Sequence, residues 1–323
     1  DPRVWDLCAG IGGDAMGLAA VVGPERLTVV DLDPVRAWMA GTNAGAASLM
    51  GDVAELAADD GMHVDFFHLD PARRLEGTGG SRRWELEEYE PGPSVMERLA
   101  ARAQGGGIKL GPGLNVAELR EAMGDAGATA EVEFISEHGR LVQAVLWTGE
   151  LVADGAAGKV EATMLPCGAS VVGDAGAIAS FEHERAAEAS DAVSAWIYEA
   201  DPALERAGLL PWAMAQWNLR EIHPGLGLLT GDDHVDTPWL TGFEVRDAVP
   251  GWRTKKIRSA LASLAGDDGW GVVDVKTRGG AVEDVDGAAR DLRGKAMAGA
   301  VAPITVFGLR LGDRKIAVVT KRG

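Results

Sequence analysis

The stretch Asp6-Leu7-Cys8-Ala9-Gly10-Ile11-Gly12-Gly13-Asp14 constrains this chain more than any other. It follows a short apolar run, residues 4–8, that reads as a strand. It opens residues 14–22, which read as a helix. Glycines at a strand-to-helix turn let the backbone approach a ligand closely, and a helix N-terminus presents unpaired N–H groups. A dinucleotide site would read G-x-G-x-x-G there and cradle a pyrophosphate. In this chain the acidic Asp6 precedes the glycines. A carboxylate at the strand end disfavours an anionic group and suits a cationic one, such as an ammonium or a sulfonium. The turn therefore points to S-adenosylmethionine (SAM) rather than a nicotinamide dinucleotide. A tight structural turn that holds no ligand is the other reading.

Two further strand ends carry carboxylates. Residues 26–31 form an apolar, β-branched run that ends in Asp31-Leu32-Asp33-Pro34. An acidic residue at the second strand end, about 20 residues beyond the glycine turn, is placed to bond ribose hydroxyls. Asp31 takes that role, and Asp33, before Pro34, reads as the helix N-cap. Asp52 follows residues 47–50, another short strand. It either accepts from an adenine amine or caps the next helix. Residues 64–69 run into Asp70-Pro71-Ala72-Arg73-Arg74. This sets Asp70 and Pro71 at the carboxyl edge of the sheet, where open α/β sheets bind ligands. In methyl transfer to an exocyclic amine, a carboxylate there accepts the N–H bonds and aims the lone pair, and positioning supplies most of the catalysis. A strand-ending turn is the structural alternative. Residues 73–92 read as a long loop, uncommon in a compact domain unless it forms a lid or binding loop. Its Arg73, Arg74, Arg82 and Arg83 can hold phosphates. Its glutamates make a solvated mixed-charge lid the competing reading.

Strands alternate with helices through the first half, which implies a mostly parallel sheet with helices on both faces. Residues 130–135 and 141–147 flank Glu137-His138-Gly139-Arg140 and read as an antiparallel hairpin at the sheet edge. The expected organisation is a domain over 1–174, a mostly helical region over 175–240 and a small α+β domain over 241–323. Residues 181–220 are Ala-, Glu- and Trp-rich and read as broken helices; 225–238 reads as a loop. The tail reads β-α-β-α-β-β and suggests a ferredoxin-like sandwich.

The charge is uneven. Residues 243–323 carry 15 Lys+Arg against 10 Asp+Glu, or +5, so the remainder holds -23 of the total -18. That asymmetry separates an acidic body from an end able to face a polyanion such as RNA. Arg253, Lys255, Lys256, Arg258, Lys276, Arg278, Arg293 and Lys295 are the residues placed to track a backbone; a solvated, near-neutral domain is the alternative. Two cysteines exclude a disulfide framework and fit a reducing cytoplasm. No run approaches the ~20 apolar residues that span a bilayer. No metal is expected: Asp232-Asp233-His234-Val235-Asp236 and Glu182-His183-Glu184 lack a second ligand cluster. The start at Asp1-Pro2-Arg3 carries no signal peptide and suggests that an upstream segment is missing. Nothing in the sequence fixes the oligomeric state.

The motifs 6–14, 30–34 and 68–74 resemble the class I SAM-dependent methyltransferases that carry a C-terminal THUMP-like domain. Supporting pieces follow in order: Lys109-Leu110-Gly111-Pro112-Gly113, Glu133-Phe134-Ile135-Ser136, Leu146-Trp147-Thr148-Gly149, Tyr198-Glu199-Ala200-Asp201-Pro202-Ala203 and Lys276-Thr277-Arg278-Gly279. The first motif is also similar to that of trimethylguanosine synthases. The resemblance implies a Rossmann-like α/β sheet and SAM contacts at Asp6, Ala9, Gly10, Gly12, Asp31 and Asp52. It implies an acceptor edge at Asp70 and Pro71, RNA as the substrate and a base as the target. Family members usually carry an N-terminal helical segment. Amino-methyltransferases read Asp/Asn/Ser-Pro-Pro-aromatic at the acceptor edge, and Ala72 and Arg73 depart from that pattern. Trp84 or Tyr89 can supply the stacking face; packing under the loop is the alternative. Three function classes follow: an RNA methyltransferase, a non-catalytic SAM- or RNA-binding protein, and, disfavoured by Asp6, a nicotinamide-dependent oxidoreductase.

Overall fold

The structure, a computed structural model, describes residues 2–59, 64–73, 86–174, 192–266, 269–295 and 304–323. Arg74, Arg82, Arg83, Trp84 and Glu182-His183-Glu184 lie outside the described residues. The chain divides into two compact units, Asp1–Ala175 with Pro202–Ala207 and Gly176–Asp201 with Gly208–Gly323.

The first unit alternates β1 (Val4–Leu7), α1 (Gly13–Val22), β2 (Leu27–Asp31), α2 (Pro34–Ala44), β3 (Ala47–Met50), α3 (Val53–Ala58) and β4 (Phe66–Leu69). A two-stranded ribbon, β5 (Ala72–Arg73) with β6 (Tyr89–Glu90), follows. Then come α4 (Pro93–Arg102), β7 (Gly105–Leu110), α5 (Val116–Ala122), α6 (Gly124–Thr129), β8 (Glu131–Glu137), β9 (Arg140–Gly149), β10 (Lys159–Leu165) and β11 (Ala169–Asp174). The sheet runs β11-β10-β8-β9-β7-β4-β1-β2-β3. From β3 to β7 every neighbour is parallel, whereas β9 pairs antiparallel with both β7 and β8. The hairpin turn places His138 at φ 49 and Gly139 at φ 72, as a two-residue turn between twisted strands requires. The expected α/β sheet with an antiparallel hairpin is therefore present, and β10 and β11 extend it beyond the hairpin.

The chain leaves β1 toward β2 on one side and returns to β4 on the other. That reversal opens a crevice at the carboxyl ends of β1 and β4. Both strands are held by a dry core. Leu7, Val29, Val30, Leu69 and Ile108 are fully buried, each contributing about 1.5–3 kcal/mol. At Gly106 a Cβ would stand 2.0 Å from the Phe67 ring. A glycine there lets the buried Phe67 lie across β7.

The second unit has a seven-stranded sheet ordered β13-β14-β12-β15-β18-β17-β16. Its strands are β12 (Trp196–Ala200), β13 (Arg220–Glu221), β14 (Leu228–Gly231), β15 (Leu240–Pro250), β16 (Val273–Arg278), β17 (Ile304–Leu311) and β18 (Arg314–Arg322). Along β17, Ile304 and Val306 join a core with the helices Thr254–Ala265 and Val285–Leu292. Phe307, Leu309 and Leu311 join another core with Ile197, Leu228 and Phe243. Two elements depart from the sequence reading. Trp196–Ala200 is a strand within the stretch read as helical, because β14 and β15 pair with it on both sides. Leu228–Gly231, read as loop, is a fully buried strand for the same reason.

Candidate active site

The glycine turn is built around positive φ: Cys8 at 60, Gly10 at 57 and Gly12 at 88. At Gly12 a Cβ would stand 2.7 Å from the Ala40 Cα, so only glycine lets α1 start this close to α2. At Gly10 nothing lies within 4 Å of the Cβ position, which leaves backbone open to an approaching group. Ala9 N–H donates to the Val30 carbonyl and Gly12 N–H to the Ala9 carbonyl, each at 2.9 Å. Asp31 organises the turn from β2. It is 5% exposed. Its Oδ2 accepts from Gly10 N–H and its Oδ1 from Asp33 N–H, both at 2.9 Å, with Arg36 Nε 3.2 Å from Oδ1. Asp33 caps α2 as expected, accepting from Val35 and Arg36 N–H. Those two bonds hold its carboxyl below the ordinary aspartate value.

A cleft of about 460 Å³ opens beside this turn, lined among others by Gly10, Asp31, Asp52, Asp70, Ala72 and Tyr89. Its electrostatics register on Cys8. Burial pushes that thiol up to about 12, and the charges of Asp31, Asp70, Asp6 and Asp52 push in the same direction. Four carboxylates from four strand ends thus act on one point. Such a negative field favours a cation and repels a pyrophosphate. Asp52 also caps α3, accepting from Ala54 N–H at 2.8 Å. Asp6 is fully buried, with its Oδ1 2.6 Å from His68 Nδ1. Its buried Oδ2 has no hydrogen-bond partner among the described residues.

The acceptor edge gives a role to a residue that the sequence reading named only within a supporting motif. Lys109, next to last in β7, donates from Nζ to Asp70 Oδ2 at 2.9 Å and to Asp14 Oδ2 at 2.8 Å. Burial pulls this ammonium down, but the two hydrogen bonds and two charges outweigh it, and its value is raised. Pro71 follows Asp70 and is buried. Arg73 sits 3.3 Å from Glu88 and lies over the Tyr89 ring at 5.6 Å, so its guanidinium is already engaged. Tyr89 is 5% exposed. Its hydroxyl accepts from Gly111 N–H at 2.6 Å. The same loop is held from its other side by Arg206, which donates to the Pro112 and Leu114 carbonyls. The ends of the long 73–92 loop are therefore closed by the β5–β6 ribbon.

In the second unit, Lys276 and Arg278 both pair with Glu199, the latter at 2.9 Å. Arg258 donates to the Asp291 and Arg293 carbonyls and lies over Trp270. Arg253, Lys255 and Lys256 are exposed. His234 packs against Trp196, with ring centroids 4.5 Å apart.

No protein-family profile matches the chain. Two curated proteins from two strains of Mycobacterium tuberculosis, each called an uncharacterised S-adenosylmethionine-dependent methyltransferase, are 29% identical over 326 residues. The alignments cover 98% of this chain and 80% of theirs. A crystal structure of a candidate methyltransferase from Porphyromonas gingivalis superposes with a TM-score of 0.74 at 17% identity. It matches 100% of this chain and 77% of that one. That likeness is one of fold: in this chain, a Rossmann-like α/β sheet in one unit and a second, mixed sheet in the other.

Proposed function

We propose that this chain is a SAM-dependent methyltransferase that methylates RNA on a base. The observation that carries the cofactor is the cleft that brings Asp31 and Asp52 together beside an open glycine turn. Asp6 is fully buried and adds negative charge without reaching the cleft. Bound SAM supplies a methyl group already activated on a sulfonium. The chain's part is to bind and to aim. Ala9, Gly10 and Gly12 offer backbone, Asp31 takes ribose hydroxyls, Asp52 takes the adenine amine and the buried Asp6 supplies negative charge.

At the acceptor edge, Lys109 engages Asp70 Oδ2. The other carboxylate oxygen then accepts the N–H of an amine and turns its lone pair toward the methyl. Pro71 stiffens this strand end; Arg73 reaches substrate phosphates only by leaving Glu88, and Arg74 is the second candidate for them. RNA is supported by the charge contrast between residues 243–323 and the rest, and by exposed Arg253, Lys255 and Lys256. The same region is read as the THUMP-like domain. The pairing of Lys276 and Arg278 with Glu199 narrows the basic surface. A second reading, a SAM- or RNA-binding protein without catalysis, is favoured by Ala72 and by an Arg73 committed to Glu88. Calorimetry with SAM, S-adenosylhomocysteine and NAD tests the cofactor. Binding of the first two and not the third is expected, and binding of NAD alone would overturn it.

A further inference from the structure

We infer that Lys109 and Asp14 are positioning residues for methyl transfer, holding the Asp70 carboxylate in one orientation at the acceptor edge. The inference rests on the reading of Asp70 as the residue that receives the acceptor. Three elements that frame the crevice meet in this group. Asp14 lies in the first turn of α1, directly after the glycine turn. Asp70 directly follows β4, and Lys109 is next to last in the neighbouring β7.

The group does little for stability. The side chains of Lys109, Asp14 and Asp70 are 25%, 46% and 45% exposed, and ion pairs this open contribute little. Their geometry, however, is specific. Lys109 donates to both carboxylates at once, at 2.8 and 2.9 Å. An aspartate at a strand end with no such clamp samples several rotamers. The clamp occupies Oδ2 of Asp70, which leaves Oδ1 as the acceptor for the substrate. Asp14 supplies the second negative charge. The trio therefore keeps a net charge of -1, suited to an acceptor nitrogen that gains positive charge as it is methylated. Without Asp14, the ammonium would cancel Asp70. The α1 N-terminus also favours an acidic group at Asp14. Lys109 is no base here: its two carboxylate partners keep it protonated at neutral pH.

The test pairs kinetics with a readout that needs no substrate. In Lys109→Met, kcat for methyl transfer to RNA should fall about 10- to 100-fold, the cost typical of a misplaced reacting group. SAM affinity by calorimetry and the unfolding temperature should stay near wild type. Asp14→Asn should follow the same pattern with a smaller loss. Nitrogen NMR titration of Lys109 should show a raised value in the wild type that drops in Asp70→Asn and in Asp14→Asn. A folded Lys109→Met with full kcat overturns the positioning role. So does a loss of SAM affinity in proportion to kcat, which would move Lys109 into the cofactor site. A Lys109 value unmoved by either aspartate substitution overturns the clamp itself. A wild type that binds SAM and methylates no RNA overturns the proposed function and the positioning role together, while the NMR arm still decides whether the clamp exists.

Discussion

Asp31 accepts hydrogen bonds from Gly10 and Asp33 and an ion pair from Arg36 before any ligand arrives. Replacing it with alanine therefore has two separable effects. Two half-buried N–H groups lose their acceptor, which should cost about 0.5–1.5 kcal/mol of stability each. A charge-assisted contact to the ribose is lost as well, worth roughly 2–3 kcal/mol. SAM affinity of the folded Asp31→Ala protein should drop about 30- to 150-fold by calorimetry. Unchanged affinity would remove Asp31 from the ribose. This residue was legible in the sequence because its signal is local: a β-branched run, an acid at its end and a fixed distance from the glycines. Lys109 was not. Its partners lie 39 and 95 residues away, and no local pattern marks a lysine that will meet two carboxylates across a sheet. His68, the cross-strand neighbour of Asp6 62 residues away, was hidden in the same way.

At the scale of elements, the strands Leu27–Asp31 and Ala47–Met50 could be read because turn residues bound them. Trp196–Ala200 and Leu228–Gly231 could not, since each is a strand only by virtue of its neighbours. A different long-range consequence appears on β8. Glu131 is buried, and its Oε2 accepts from Ala153 N–H, which ties the segment after β9 to the sheet. Burial raises its value from 4.5 to about 7. The Ala153 bond opposes this, and Glu161 and Glu133 add to it. The fold thus keeps a proton that the unfolded chain releases near 4.5. This group's contribution to stability is greatest below that pH, falls as the pH rises toward 7 and levels above it. Glu131→Gln carries no such titration. Its unfolding temperature should exceed that of wild type at pH 8, and the gap should close by pH 5. Parallel curves across that range would show that Glu131 titrates normally.

For the whole molecule, the charge is divided: the first unit is acidic, and the end of the second, residues 243–323, is net positive. The charge contrast was visible in composition; which cations remain exposed was not, because Glu199 neutralises Lys276 and Arg278 in the fold. Reversing the exposed pair, Lys255→Glu with Lys256→Glu, should weaken RNA binding and reduce the salt slope by about 1–2, while SAM affinity is unaffected. An unchanged slope would make this domain structural. The central claim is methyl transfer at Asp70, and the most direct measurement is tritiated methyl transfer from SAM to total RNA by wild type and by Asp70→Asn. Asparagine preserves size and one acceptor, so fold and SAM affinity should persist. The account predicts labelled RNA with wild type and a loss of about 10²- to 10³-fold in rate with the variant. A wild type that binds SAM and labels no RNA, or an Asp70→Asn protein with full activity, would contradict it.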